Sequence, residues 1–396
     1  MCHRLVQNFQ NRLNNVQTPL SLNQYDKGNL KFKSCVYFAN WSVYDKKHFP
    51  TNIPAELYTH INYAFITIDE NSGNLKFTDT WCDLEMEILT NGVKCKGNLQ
   101  SFYQLKKSYR SLKLIMSIGG WGTSHLFNAI ILDSKKMSNF VDSAVEYVKE
   151  YGFDGIDIDW EFCGEHQGWK YVELLRNLRS KLPSKFSLTV AAPAGLEHIK
   201  CLKIREMDQY LSFWNLMCYD FSGKAWSTKT GYHSNLFGNN GDNDLNAADV
   251  VQIYLENGVI PSKLVLGQPM YGRAFYGTVS NSIGNTFNRD IEGEDTIDYN
   301  KILSGDFDHK KVSAYSYDPQ TGLFIGFDNQ QSAKIKGQFV KEKALGGGMW
   351  WESSGDKTGE ASLVFNFVKQ LGGIAALEKS ENNISYPDSK YLRNLQ

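Results

Sequence analysis

Between positions 154 and 161 the chain reads Asp154-Gly155-Ile156-Asp157-Ile158-Asp159-Trp160-Glu161. Asp157, Asp159 and Glu161 share one parity and Ile156, Ile158 and Trp160 the other, which is the period of a β-strand. One face is acidic and the other large and apolar. Carboxylates cannot simply be packed away, because burial is costly unless they share protons or hydrogen bonds. A strand with apolar residues outward and carboxylates inward suits a closed parallel barrel with helices outside and a site inside. Glu161, the last carboxylate, then stands at the carboxyl end of the strand, where such barrels place their chemistry. Two carboxylates this close do not both ionise easily. A calcium loop also spaces Asp residues by two, but it wants a glycine at its sixth position and hydrophilic spacers, where this stretch has Ile, Ile and Trp. A solvated turn would favour Gly, Asn, Ser and Pro. Asp154 has the other parity and is expected to be structural.

Further strands and helices must hold this one. Cys35–Asn40, His60–Phe65 and Lys113–Ile118 read as strands one to three, and the acidic stretch is the fourth. Ser187–Ala192, Phe213–Tyr219, Leu264–Pro269 and Gly346–Trp351 read as strands five to eight. Helical spacing covers Leu99–Tyr109, Lys135–Tyr151, Trp169–Leu182, Ala247–Asn257, Gln330–Lys343 and Ser362–Leu371, with Pro183 and Gly258 as stops. The expected fold is α/β, a (β/α)8 TIM barrel made of 34–273 and 328–396. Strand seven is separated from its returning helix by about fifty residues, against the two to six usual for such a loop. Residues 274–327 are therefore expected to form a small α+β insertion domain, with strand-like runs at Val312–Tyr317 and Leu323–Phe327.

The 396 residues are 42% hydrophobic and 13% aromatic, with a net charge of −1. That suffices for a large core, and the absence of a basic run points away from nucleic acid and anionic membranes. No stretch approaches the length of a membrane span. Seven cysteines, Cys2, Cys35, Cys82, Cys95, Cys163, Cys201 and Cys218, are scattered without a C-x-x-C pair, so no disulfide framework is expected. Cys35 and Cys218 fall in expected strands as free, buried thiols, and Cys82 with Cys95 is the one pair considered for a bridge. Residues 1–33, rich in Asn and Gln with Arg4 and Arg12, read as a disordered tail. They lack the apolar run of a signal peptide, which points to an intracellular or unconventionally exported protein. A monomer needing no metal or other cofactor is expected.

Asp154-x-x-Asp157-x-Asp159-x-Glu161 resembles the signature of family 18 glycoside hydrolases, the chitinases. Lys113-Leu-Ile-Met-Ser-Ile-Gly-Gly-Trp121 resembles that family's third strand, Met217-Cys-Tyr-Asp220 its sixth, Gln268-Pro-Met-Tyr-Gly-Arg273 its seventh and Gly348-Met-Trp-Trp-Glu352 its eighth. The segments stand in the family's order, and the close of the chain, Ile384–Tyr391, is similar to fungal members. The resemblance implies substrate-assisted hydrolysis of chitin or chitooligosaccharides, an exception to the two-carboxylate scheme of most glycosidases. Glu161 would be the acid and later the base. Asp159 would accept the N–H of the sugar's acetamido group and share a proton with Asp157, and Tyr219 would bind the acetamido oxygen. Asp220 would lie beside it, Met217 under the sugar and Trp351 stacked on it, with Tyr37, Phe65, Gly120, Trp121, Tyr271 and Arg273 as further lining residues.

The chain departs from that pattern at Thr123, where many fungal relatives carry a second Trp, at Gln268, usually apolar, and at Phe162-Cys163, commonly Tyr-Pro. The missing ring suggests weak binding on the product side. Rival readings are a chitinase-like lectin, which keeps the barrel and loses the acid, and an endo-β-N-acetylglucosaminidase acting on N-glycans. Endo-acting cleavage and a role in fungal cell-wall or spore-wall remodelling rest on family analogy, as does an extracellular or cell-wall location.

Overall fold

A computed structural model describes residues 30–238 and 245–395. Lys33–Ala39 (β1) and His60–Ile68 (β2) pair in parallel, and Leu75–Phe77 (β3) folds back antiparallel on the end of β2. A hairpin of Glu87–Thr90 (β4) and Val93–Lys96 (β5) leads into Gly97–Ser108 (α1). Then follow Lys113–Gly119 (β6), Ser124–Ile131 (α2), Ser134–Tyr151 (α3), Gly155–Asp159 (β7), Gly168–Lys181 (α4) and Ser187–Ala192 (β8). After them come Leu196–Ile199 (α5), Ile204–Asp208 (α6), Phe213–Leu216 (β9), Ala247–Glu256 (α7) and Leu264–Pro269 (β10). Tyr271–Phe275 (β11), Thr296–Asp298 (β12), Asp306–Asp308 (β13), Ser313–Asp318 (β14) and Leu323–Phe327 (β15) precede Gln330–Glu342 (α8), Gly347–Trp351 (β16) and Leu363–Leu371 (α9).

Nine strands hydrogen-bond in the order β1-β16-β10-β9-β8-β7-β6-β2-β3, and β1 also pairs with β2. Eight of them thus close on themselves as the expected (β/α)8 barrel, with β3 an edge strand hung on β2.

The chain divides into two compact units. One gathers Lys33–Asn215 with Met349–Ser354 and Leu377–Gln396. The β6–β7 and β7–β8 registers set Ser117 and Thr189 opposite Asp157. Helix α3 starts where the Asp133 carboxylate accepts the backbone N–H groups of Lys135 and Lys136, and ends at Gly152 with φ 80°. Asp154 is structural, as its parity suggests. It is 4% exposed, lies 2.6 Å from Lys106 Nζ, and accepts the N–H groups of Leu114 and Asn383. The segment after Leu377 is stitched to the same place: Asn382 Nδ2 reaches the carbonyls of Lys106, Tyr109 and Leu112, and Tyr386 donates to the Phe153 carbonyl.

The other unit gathers Leu216–Gly348 and Gly355–Ala376 with the described residues up to Phe32. Its five-stranded antiparallel sheet, in the order β12-β11-β15-β14-β13, covers the stretch read from sequence as an α+β insertion. Its strands begin at Tyr271 and its one helical turn is Tyr299–Lys301, a 3-10 turn. Tyr232, Phe275 and Phe324 form its apolar core. A buried ion pair recurs in this unit, where Lys336 Nζ lies 2.5 Å from Asp328 and also donates to the Ser234 carbonyl.

One expectation is corrected. The sixth strand ends at Leu216 rather than Tyr219, because the N–H groups of Cys218 and Tyr219 turn back to the carbonyls of Leu216 and Met217 and leave the ladder. Cys82 and Cys95, the one pair considered for a bridge, are both free thiols, and Cys35 and Cys218 are free and buried as expected. Phe32 is 2% exposed and β1 begins at Lys33, while residues 1–29 of the expected tail, with Cys2, Arg4 and Arg12, lie outside the described residues. No described helix is long and apolar enough to cross a membrane.

Candidate active site

The residues expected to do chemistry fall in both units. In the first, β7 turns Ile156, Ile158 and Trp160 to the helices. The Trp160 ring stacks on Phe127 of α2 at 5.2 Å and meets Tyr171 of α4 at 5.0 Å. The carboxylates of β7 take the other face. Asp157 is fully buried, and its oxygens accept four hydrogen bonds: from Tyr37 (2.7 Å), Ser117 (2.9 Å), Thr189 (2.6 Å) and Asn215 (3.3 Å). Burial pushes its pKa above the ordinary value while those donors pull the other way.

Asp159, two residues on, is equally enclosed and differently furnished. It is 3% exposed, and its Oδ1 has no hydrogen-bond partner. Burial first, then the negative charges of Glu161 and Asp157, push its pKa well above the ordinary value. Burial and the neighbouring carboxylates thus both disfavour its charged form. Glu161 follows beyond the strand end and is partly exposed, and its backbone carbonyl accepts the Ser124 hydroxyl at 2.5 Å.

An aromatic group stands in the same unit. Trp351, at the end of β16, lies 5.6 Å from Phe65 in a stacked arrangement, 5.4 Å from Tyr37 and 6.4 Å from Trp41. Non-proline cis peptide bonds precede Phe65 and follow both Glu161 and Trp351. Gly120 has φ 93°, and a Cβ there would come within 2.6 Å of the Phe65 ring, so this position demands glycine. Trp121 is 80% exposed, with Phe162 edge-on at 6.4 Å, and Phe162 in turn stacks on His198 at 4.1 Å. Thr123 is engaged inward, donating its hydroxyl to the Gly120 carbonyl at 2.7 Å.

In the second unit, Met217 and Tyr271 are buried and Tyr219 meets Tyr271 edge-on at 6.5 Å. Asp220, at φ 59°, accepts the Tyr271 hydroxyl (2.7 Å), Arg273 Nε (2.8 Å) and a terminal guanidinium nitrogen (2.6 Å). His233 Nδ1 lies 3.5 Å away. Burial alone would raise its pKa, but these donors and the guanidinium charge hold Asp220 well below the ordinary carboxylate range. Arg273 is sandwiched, with Trp226 over its guanidinium at 4.8 Å and Tyr271 at 5.5 Å.

Sequence reasoning missed Ser117, Thr189 and Asn215 around Asp157, Trp41 beside Trp351, Ser124 on Glu161, and His233 beside Asp220. A signal existed for three of them, since Ser117, Thr189 and Asn215 are polar residues inside otherwise apolar strand runs. Among the described residues, no group of three or more His, Cys, Asp or Glu is arranged to hold a metal ion.

Residues 33–356 match the family described as Glycosyl hydrolases family 18. Endochitinase 1 of Metarhizium robertsii is 36% identical over 91% of this chain and 89% of its own length. Sporulation-specific chitinase 2 of Saccharomyces cerevisiae is 37% identical over 82% of this chain and 74% of its own length. Among solved structures, a chitinase from Bacillus thuringiensis superposes with a TM-score of 0.78 at 26% identity, covering 87% of this chain and 70% of that one. The Ostrinia furnacalis Group IV chitinase, solved in complex with allosamidin, gives 0.77 at 26% identity, covering 88% and 100%. The chain belongs to glycosyl hydrolase family 18 and is a glycoside hydrolase.

Proposed function

We propose that this glycoside hydrolase is a chitinase that cuts β-1,4 bonds between N-acetylglucosamine units with retention of configuration. The nucleophile is the substrate's own 2-acetamido group. Glu161 gives its proton to the glycosidic oxygen. The acetamido carbonyl oxygen bonds to the anomeric carbon as the glycosidic C–O bond breaks, leaving a cyclic oxazolinium ion. Glu161, now a carboxylate, takes a proton from water, whose oxygen attacks the anomeric carbon and reopens the ring. Asp159 accepts the acetamido N–H, and its charged form balances the cation. The Tyr219 hydroxyl holds the acetamido oxygen, and Trp351 stacks on the sugar. The names of the fungal relatives support chitin as substrate and endo cleavage, and that of the yeast relative supports a role in sporulation.

The observation that carries this reading is Asp159: a buried carboxyl with an unengaged oxygen, two residues from the acid on the same strand face. In a two-carboxylate retaining mechanism the second group is itself the nucleophile. A carboxyl kept neutral by burial is a poor nucleophile and a suitable partner for an amide N–H that becomes positively charged. Proton NMR of the first product from a chitin oligomer should show the β-anomer, and a cellulose oligomer, lacking the acetamide, should stay uncut. An initial α-anomer, or cellulose cleavage at a similar rate, would overturn the reading.

A further inference from the structure

We infer that Ser124 and Thr123 are positioning residues for the acid, forming a hydroxyl clamp that fixes the backbone on both sides of Trp160 and so sets where the Glu161 carboxyl stands. The inference rests on the reading of Glu161 as proton donor given above.

The clamp is built from the four residues that join β6 to α2 together with Ser124, the first residue of α2. Gly120 N–H donates to the Asp159 carbonyl at 2.9 Å. The Gly120 carbonyl accepts twice from Thr123, from its N–H at 3.2 Å and its hydroxyl at 2.7 Å. Ser124 then sends its hydroxyl to the Glu161 carbonyl at 2.5 Å, with the Phe162 carbonyl 3.5 Å away. The loop therefore grips the residue before Trp160 with one end and the residue after it with the other. It has no slack on its far side. A Cβ at Gly119 would lie 2.1 Å from the Asp159 carbonyl oxygen, and one at Gly120 would meet the Phe65 ring.

The hydroxyls are spent here at the expense of their usual work. Thr123 is the N-cap residue of α2, where a threonine ordinarily accepts a backbone N–H from the first turn, yet it makes no side-chain cap bond. Its hydroxyl turns to Gly120 instead, and that of Ser124, the first helical residue, leaves the helix altogether. Both adjacent hydroxyl groups forgo the helix end: that of Ser124 holds the acid's own carbonyl, and that of Thr123 braces Gly120, whose N–H holds the Asp159 carbonyl, an arrangement explained by the acid's placement and not by the helix.

A proton donor is sensitive to small displacements, since reacting atoms must meet at hydrogen-bond distance. Ser124→Ala should lower kcat on a chitin pentamer about tenfold while KM stays within about twofold and Tm within about 3 °C. Ser124→Thr, which keeps a hydroxyl, should recover most of the rate. Thr123→Val, which keeps the shape and loses the hydroxyl, should cost about threefold, because it loosens Gly120 and spares the Ser124 bond. An active parent with an equally active Ser124→Ala would overturn the clamp alone, as would a Ser124→Thr no better than the alanine. A parent that cuts no chitin oligomer would instead remove the chitinase reading. Were Ser124→Ala to fail to fold, Thr123→Val decides, and a kcat equal to the parent's refutes the clamp.

Discussion

Asp159 and Asp220 are the same residue type in the two units of the chain, and their surroundings drive them apart. Asp159 has a bare oxygen, two acidic neighbours and, among the described residues, no ion-pair partner, and its pKa is pushed well up, by burial first. Asp220 has a guanidinium, a phenol and an imidazole around it, and its pKa is pushed down. The first is arranged to change state and the second to stay as it is. A carboxylate that anchors Arg273 and Tyr271 is useful only while charged. In the mechanism proposed above, the carboxyl of Asp159 receives a developing cation and is useful only if its charge appears late. Burial opposes ionisation at both positions, so the difference comes wholly from what else touches each group.

The comparison is most sharply broken by removing the charge that acts on Asp159. Glu161→Gln keeps the shape and loses the proton donor and the later base. Its turnover of chitin oligomers should fall by about 10² or more with binding largely retained, as single-turnover and binding measurements would show. Unimpaired turnover would end the mechanism. Asp159→Asn mimics the neutral acid, and kcat should fall by about 10–10². Its stability should respond in the opposite way. A raised native pKa means the folded chain holds the proton more tightly than the unfolded chain. That contribution is full below the ordinary value of about 4 and is lost as pH rises through the raised value. Asparagine carries no such loss, so Tm should decline less between pH 5 and 8 in this variant than in the parent.

The smallest effect is expected at Asp220. Its depressed pKa contributes stability above the ordinary carboxylate value, and this is lost as pH falls through the depressed one. Asp220→Asn should therefore cost about 1–2 kcal/mol near neutral pH, allowing for a side chain 37% exposed, with the gap to the parent closing in strong acid. Urea titrations at pH 7 and pH 2.5 would read this, and a gap that grew in acid would reverse the assignment of the two carboxylates.

The strands were legible because their residues alternate or run apolar over five to nine positions, and Ser187–Ala192 and Leu264–Pro269 begin and end where the sequence places them. The alternation in the acidic stretch also separated Asp154 from Asp157 and Asp159 correctly. What surrounds each carboxylate was less legible, because it depends on register between strands far apart in sequence. Nothing local pairs Asn215 with Asp157, or Trp41 with Trp351. Thr123 is the instructive case. Compared with relatives it reads as a ring that is missing, whereas the structure spends its hydroxyl on the Gly120 carbonyl. Side-chain direction decided that, and sequence spacing does not report it. The hairpin β4–β5 was missed because its strands are only four residues each.

The stitching of residues 377–395 onto Asp154 and Lys106 has a consequence for the order in which the protein is made. Lys106 and Asp154 are both synthesised early, but one oxygen of Asp154 waits for the N–H of Asn383, and three carbonyls at the end of α1 wait for the Asn382 amide. While the ribosome is still translating the middle of the gene, the nascent chain already contains the acid, its clamp and its buried ion pair, with that corner open to water. The unit holding Glu161 can be finished only after residues 377–395 emerge, so a message cut short after codon 376 would yield a chain bearing Asp157, Asp159 and Glu161 and lacking the stitch that closes the acidic unit.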